Sequence, residues 1–218
     1  MFEKLIESLK LTRAYDAYRF YQNRKAYNEW ERKERPVPPP PVVKQQIVKI
    51  YAENFPVDIF IETGTYLGEM VLAVKNVFKR IISVELDNTL AGRANKKFAK
   101  YNYITIIQGD SGNVLKDILA EIKKPCLFWL DSHYSGGLTA KSDSETPVMQ
   151  ELSHIFDHEI QDHVILIDDA RCFNGENDYP ALGELKDFVQ SKRPEWCFDV
   201  RHDIIRIHKK TAVSPGNL

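Results

Sequence analysis

Acidic side chains recur at one kind of place in this chain, the ends of short apolar runs. Ile59-Phe-Ile closes on Glu62 and continues as Thr63-Gly64-Thr65-Tyr66-Leu67-Gly68. Ile81-Ile-Ser-Val closes on Glu85-Leu86, and Ile104-Thr-Ile-Ile-Gln closes on Gly109-Asp110-Ser111. Cys126-Leu-Phe-Trp-Leu closes on Asp131, and Val164-Ile-Leu-Ile on the pair Asp168-Asp169. A carboxylate can accept hydrogen bonds from an ammonium or a sugar hydroxyl, hold a hard cation, or take part in proton transfer.

The first of these stretches narrows the ligand. A dinucleotide fingerprint opens on glycine, as G-x-G-x-x-G. Here Glu62 holds that first position, and the spacing is Glu-x-Gly-x-x-x-Gly. A carboxylate there repels a pyrophosphate but accepts from an ammonium group. The stretch therefore suits a ligand with a cationic amino-acid end and no phosphate, such as S-adenosylmethionine, better than a nicotinamide dinucleotide. An ordinary βα turn without a ligand is the bland alternative. The turn should feed a helix over residues 69–78, with Met70, Val71, Val74, Val77 and Phe78 on one face, and point backbone N–H groups at the ligand.

Glu85 lies 23 positions after Glu62, close to the ~20-residue spacing of an acid that holds ribose hydroxyls. Asp110 could accept from an adenine amino group, with Ser111 adding a donor, or could cap a helix over residues 113–122. Asp131 is followed by Ser132-His133-Tyr134-Ser135-Gly136-Gly137, a reactive cluster opening a polar stretch that could close as a lid. With an ordinary pKa of ~6.5, His133 suits proton removal at neutral pH. Asp168 and Asp169 join Asp131 as three oxygen donors from two strand ends, which suits Mg²⁺ or a similar cation. Alternatively one Asp caps a turn and the other pairs with Arg171. His154 and His158 are four apart, but the pattern is not H-E-x-x-H, and a solvated helix face is the default reading.

The elements that must position these groups alternate strand and helix, which predicts an α/β fold with a doubly wound, mostly parallel sheet. Trp196–Val200 and Ile204–His208 read as a closing antiparallel hairpin turning near His202-Asp203. Residues 1–35 read as a helical arm with nine Lys/Arg and six Asp/Glu, and residues 36–41 as a stiff linker with five prolines in six positions. The core then spans residues 42–210, ahead of a frayed tail over residues 211–218. Thirty basic and 31 acidic residues leave a net charge of −1, which argues against a nucleic-acid partner. The first residues are too charged for a signal-peptide core, and no apolar run is long enough to span a bilayer. Three scattered cysteines suggest reduced thiols in the cytoplasm. The arm is expected to pack on its own domain or on a second subunit, which makes a homodimer one arrangement it allows.

Glu62-Thr-Gly-Thr-Tyr-Leu-Gly68, Glu85, Asp110 and the hairpin together resemble the class I S-adenosylmethionine-dependent methyltransferases over roughly residues 43–209. The resemblance implies a Rossmann-like seven-stranded sheet. It implies cofactor contacts from Glu62, Thr63, Gly64, Thr65, Tyr66, Gly68, Glu85, Leu86, Asp110, Ser111 and Asp131. The acids at 131, 168 and 169 look like those of metal-dependent O-methyltransferases, in which a divalent cation sits between the acids and the acceptor hydroxyls. Catechol-type enzymes carry a lysine soon after the first metal acid; here Ser132-His133-Tyr134 stands in that region, and His133 is the substitute base beside Asp131. The segment Leu130–Gly137 with Glu145-Thr-Pro147 is also similar to a group of bacterial methyltransferases of unassigned substrate. The expected activity is methyl transfer to an oxygen of a small molecule. The alternatives are a metal-independent N-methyltransferase and a non-catalytic module that binds S-adenosylmethionine and docks a partner.

Overall fold

The computed structural model of the chain describes residues 13–131 and 146–210. Seven strands form one sheet in the order β3-β2-β1-β4-β5-β7-β6. The strands are β1 (Ile59–Thr63), β2 (Arg80–Glu85), β3 (Ile104–Gln108), β4 (Cys126–Leu130), β5 (Val164–Ile167), β6 (Trp196–Arg201) and β7 (Ile204–Lys209). The first five are parallel, and β7 runs antiparallel to both β5 and β6. Strands β1, β4 and β5 are buried at every position, as a parallel strand covered on both faces must be.

Helices cover the two faces. One carries α1 (Arg13–Arg32), α2 (Pro41–Asn54), α3 (Glu69–Val74) and α4 (Asn88–Phe98); the other carries α5 (Ser111–Ala120), α6 (Val148–Asp157) and α7 (Leu182–Lys192). Alternation along β1 sends Phe60 into the first layer and Ile59 and Ile61 into the second. The chain order reverses between β1 and β4, so a crevice opens beyond their carboxyl ends, where open α/β sheets place their ligands.

Local signals explain most boundaries. Pro41 starts α2 after Pro40 in extended conformation, and proline fits the first helical turn because its missing N–H would be unpaired there. Asp87 caps α4 by accepting from the Leu90 N–H. His202 and Asp203, both at positive φ, make the two-residue turn between β6 and β7.

Some elements depart from expectation. Helix α3 is only six residues long and leaves Val77 exposed, so the anticipated helix to Phe78 stops at Val74. Helix α5 starts at Ser111 rather than at 113, and α6 starts at Val148, with Pro147 as its cap residue. Pro36–Pro40 brings α1 back against the core: Trp30 is buried in the same apolar cluster as α2, donates to the Pro36 carbonyl, and meets His202 edge to face at 5.2 Å. Replacing Trp30 with Ala should lower the unfolding free energy by about 3 kcal/mol in urea titrations, the usual cost of deleting a buried aromatic. An unchanged midpoint would mean that the arm contributes nothing to the fold.

Candidate active site

The carboxyl ends of β1, β2, β4 and β5 bring five predicted acids together, and each is held differently. Glu62 lies in the interior of β1 and is buried. Its Oε2 accepts from the Ser83 hydroxyl, which is paired in turn with Thr65 Oγ1 at 2.6 Å. Burial, with the charges of Asp131 and Glu85, pushes the Glu62 carboxyl up to about 8 against the pull of the Ser83 bond. Burial therefore favours the protonated form of this carboxyl.

The loop after Glu62 is tied to the end of β2. The N–H groups of Gly64 and Thr65 donate to the Val84 carbonyl, that of Tyr66 to Glu85 Oε2, and that of Gly68 to the Thr65 carbonyl. These N–H groups therefore do not point at a ligand, contrary to the expectation drawn from the glycine turn. The six residues of α3 also make too short a helix for an anion site. Gly64 at φ 97° and Gly68 at φ 68° take the left-handed conformation that favours glycine. Gly68 has a second reason: a Cβ there would lie 2.6 Å from Phe98 Cε2 of α4. Thr63 and Thr65 are fully enclosed, whereas Tyr66 is exposed.

Glu85 ends β2, buried, with Oε2 on the Tyr66 N–H and Oε1 on the Asp87 N–H at 2.9 Å. Each oxygen keeps acceptor capacity beyond that one bond. Leu86 is half-buried beside it, its carbonyl accepting from Gln108. Asp110 caps α5, accepting from the Gly112 N–H, and Ser111 is buried behind it. The capping alternative thus holds, two residues earlier than expected.

Asp131, Asp168 and Asp169 present carboxylate oxygens within 4.8 Å of one another. Three carboxylates are the right donor chemistry for a hard cation. A lysine, however, already stands there. Lys44 of α2 places Nζ 2.6 Å from Asp168 Oδ2 and 3.1 Å from Asp169 Oδ1. Burial alone would lower the Lys44 pKa, but Asp168, Asp169 and Asp131 outweigh it and hold it above the ordinary value. Burial and Asp131 push Asp168 up, against the pull of Lys44. At 2.6 Å the ion pair is the form the geometry supports.

Arg171 completes the cluster. It donates from Nη1 to Asp169 Oδ1 at 2.7 Å and to the buried Asp203 in the β6–β7 turn, which also accepts from its backbone N–H. The expected pairing of one acid with Arg171 is present, and Asp169 also adopts a positive φ of 54°. A non-glycine residue so placed costs on the order of 1–2 kcal/mol, borne here by these bonds. A small cavity beside the cluster, of about 10 Å³ and so no larger than one water, is lined in part by Asp131, Thr146, Glu151, Asp168, Phe173 and Tyr179.

His133 and the rest of 132–145 lie outside the described residues. His154 contacts the Gly112 carbonyl, while His158 stacks on and bonds to His163, so the two histidines serve separate contacts. Three participants carried no local signal or an overlooked one. Lys44 is 124 positions from Asp168 in sequence. Asp203 looked like a turn residue. Glu151 falls in the buried stripe of α6 with Val148, Leu152 and Ile155, and an acid on that stripe was the available clue.

No family model matches the chain, and no curated protein is a significant sequence match. Solved structures do match in fold. The O-methyltransferase TomG from Streptomyces achromogenes, involved in tomaymycin synthesis and determined with S-adenosylmethionine, superposes with a TM-score of 0.57 at 11% identity, covering 86% of this chain and 89% of its own. The Podospora anserina methyltransferase PaMTH1, bound to S-adenosylhomocysteine, gives 0.55 at 17% identity, covering 92% and 97%. A candidate rRNA methylase from Clostridium thermocellum gives 0.51 at 15% identity, covering 73% and 92%.

Glu62 supplies a direct test of this geometry. A carboxyl raised from 4.5 to about 8 on folding contributes stability that is present below about pH 4.5 and lost as pH rises through about 8. Glu62→Gln should flatten that decline in urea melts taken between about pH 5 and 8; parallel profiles for the two proteins would show that Glu62 ionises freely. At identities this low it is architecture that is shared: the chain has the fold of the class I S-adenosylmethionine-dependent methyltransferases.

Proposed function

We propose that this protein is an S-adenosylmethionine-dependent methyltransferase acting on an oxygen of a small molecule. The observation that carries the reading is the buried Glu62 carboxyl, bonded to Ser83, at the head of a loop whose Gly64, Thr65, Tyr66 and Gly68 N–H groups already donate within the protein. Such a site offers little to a pyrophosphate and an acceptor to an ammonium.

The residues divide the work as follows. Ser83 bonds one oxygen of Glu62, and Glu62 binds the cofactor's ammonium, giving up its own proton as it does so. Glu85 binds the ribose hydroxyls through its remaining lone pairs, held in orientation by the Tyr66 and Asp87 N–H groups. Leu86, Asp110 and Ser111 flank the adenine, while Thr63, Gly64, Thr65, Tyr66 and Gly68 shape the loop around the methionine end. Bound S-adenosylmethionine supplies an electrophilic methyl group. Asp131 stands beside the acceptor, and His133 takes the hydroxyl proton. Positioning accounts for most of the rate in such a reaction. Mg²⁺ at Asp131, Asp168 and Asp169, which the sequence led us to expect, enters no step here, because it would have to displace Lys44.

A second reading draws on the same acids. Asp131, Glu151 and Asp168 share one small cavity, and their carboxylates could instead orient an amine for N-methylation without metal.

Calorimetric titration tests the first reading. Wild-type protein should bind S-adenosylmethionine with micromolar affinity, ignore NAD, and release a proton below about pH 8. Glu85→Ala should weaken binding at least ~10-fold, or about 1.4 kcal/mol, whereas His133→Ala should keep binding and lose turnover. Absence of binding to the wild type would overturn the assignment.

A further inference from the structure

The acid cluster at the ends of β4 and β5 looks like a metal site until its hydrogen bonds are followed. Asp168 accepts from the Asp169 N–H on Oδ1 at 2.8 Å and from Lys44 on Oδ2 at 2.6 Å. Asp169 Oδ1 is shared between Lys44 at 3.1 Å and Arg171 at 2.7 Å. Both oxygens of one acid and one oxygen of the next are thus engaged by donors from the protein itself. A divalent ion bound to these oxygens would sit at ~2 Å from them, beside an ammonium of the same sign of charge.

Lys44 also sits in that position by construction. Its neighbours Val43, Ile47 and Val48 are at most 1% exposed, which fixes the rotation of α2 about its axis. The proline-rich run through Pro40 fixes where the helix begins. The Lys44 side chain is itself only 17% exposed, and the carboxylates it meets are among the most enclosed in the chain.

We infer that Lys44 is the resident cation of the acid cluster, standing against the three carboxylates that could otherwise hold a divalent ion. Among the described residues two of its three N–H donors go to Asp168 and Asp169, and the third is offered to an acceptor oxygen. Lys44 is a positioning residue in this account, and the cluster works without metal. The acceptor's part rests on the transferase reading, but the exclusion of metal does not.

Manganese titration of the full-length protein without cofactor, with free ion followed by electron paramagnetic resonance, separates the cases. Wild-type protein should show no saturable Mn²⁺ binding at millimolar ion. Lys44→Met should gain one site, because it removes the ammonium from Asp168 and leaves Asp169 only Arg171, and adding Asp168→Asn should abolish it. Lys44→Arg should behave as wild type. A wild-type site that Asp168→Asn removes would overturn the inference, and so would a folded Lys44→Met protein that gains no site. If Lys44→Met fails to fold, Lys44→Gln replaces it, and the wild-type titration decides by itself. Failure of S-adenosylmethionine to bind would overturn the transferase reading and leave this result standing.

Discussion

Glu62, Glu85, Asp131, Asp168 and Asp169 end four neighbouring strands, and all but Asp131 are buried. Negative charge gathered in so little water is costly unless a proton or a cation offsets it. The protein uses both. Burial favours a proton on Glu62, Glu85 is held by backbone N–H groups, and Asp168 and Asp169 are met by Lys44 and Arg171. The Glu62 end can thus accept a new cation by releasing a proton, whereas the Asp168–Asp169 end already holds one.

That arrangement gives the outer elements a purpose. Helix α2 carries Lys44 to the cluster across the face of the sheet. The β6–β7 turn brings Asp203 to Arg171, and Arg171 to Asp169. The same turn presents His202 to Trp30 of the arm. A continuous series of contacts therefore runs from α1 through the hairpin to the acids. The arm and hairpin act on the site as a brace, at a point where the backbone of Asp169 is itself strained.

The strands were legible because burial on both faces demands unbroken apolar runs, and each run ends at a polar residue whose place follows from the sheet. Glu62 and Glu85 could be paired from spacing alone, and the hairpin from its turn. The role of Lys44 was not legible, since a lysine between two buried valine and glutamine positions of a helix looks like any solvated flank. Gly68 was visible only as part of a glycine pattern, and the structure shows that Phe98 is what leaves no room for a side chain there. Helix α3 was overestimated because Val77 and Phe78 continue its periodicity after the backbone has left it. The N–H groups of the glycine loop were assigned to a ligand because a pattern of residue types does not reveal that Val84 and Glu85 already accept from them.

The central claim is that the cofactor is held by its ammonium on Glu62 and by its ribose on Glu85. The most direct measurement is a crystal structure with S-adenosylhomocysteine. The account predicts the ligand's amino group within hydrogen-bond distance of Glu62 and both ribose hydroxyls on Glu85, with Lys44 still on Asp168. A ligand seated elsewhere, or one whose amino group faces away from Glu62, would contradict it.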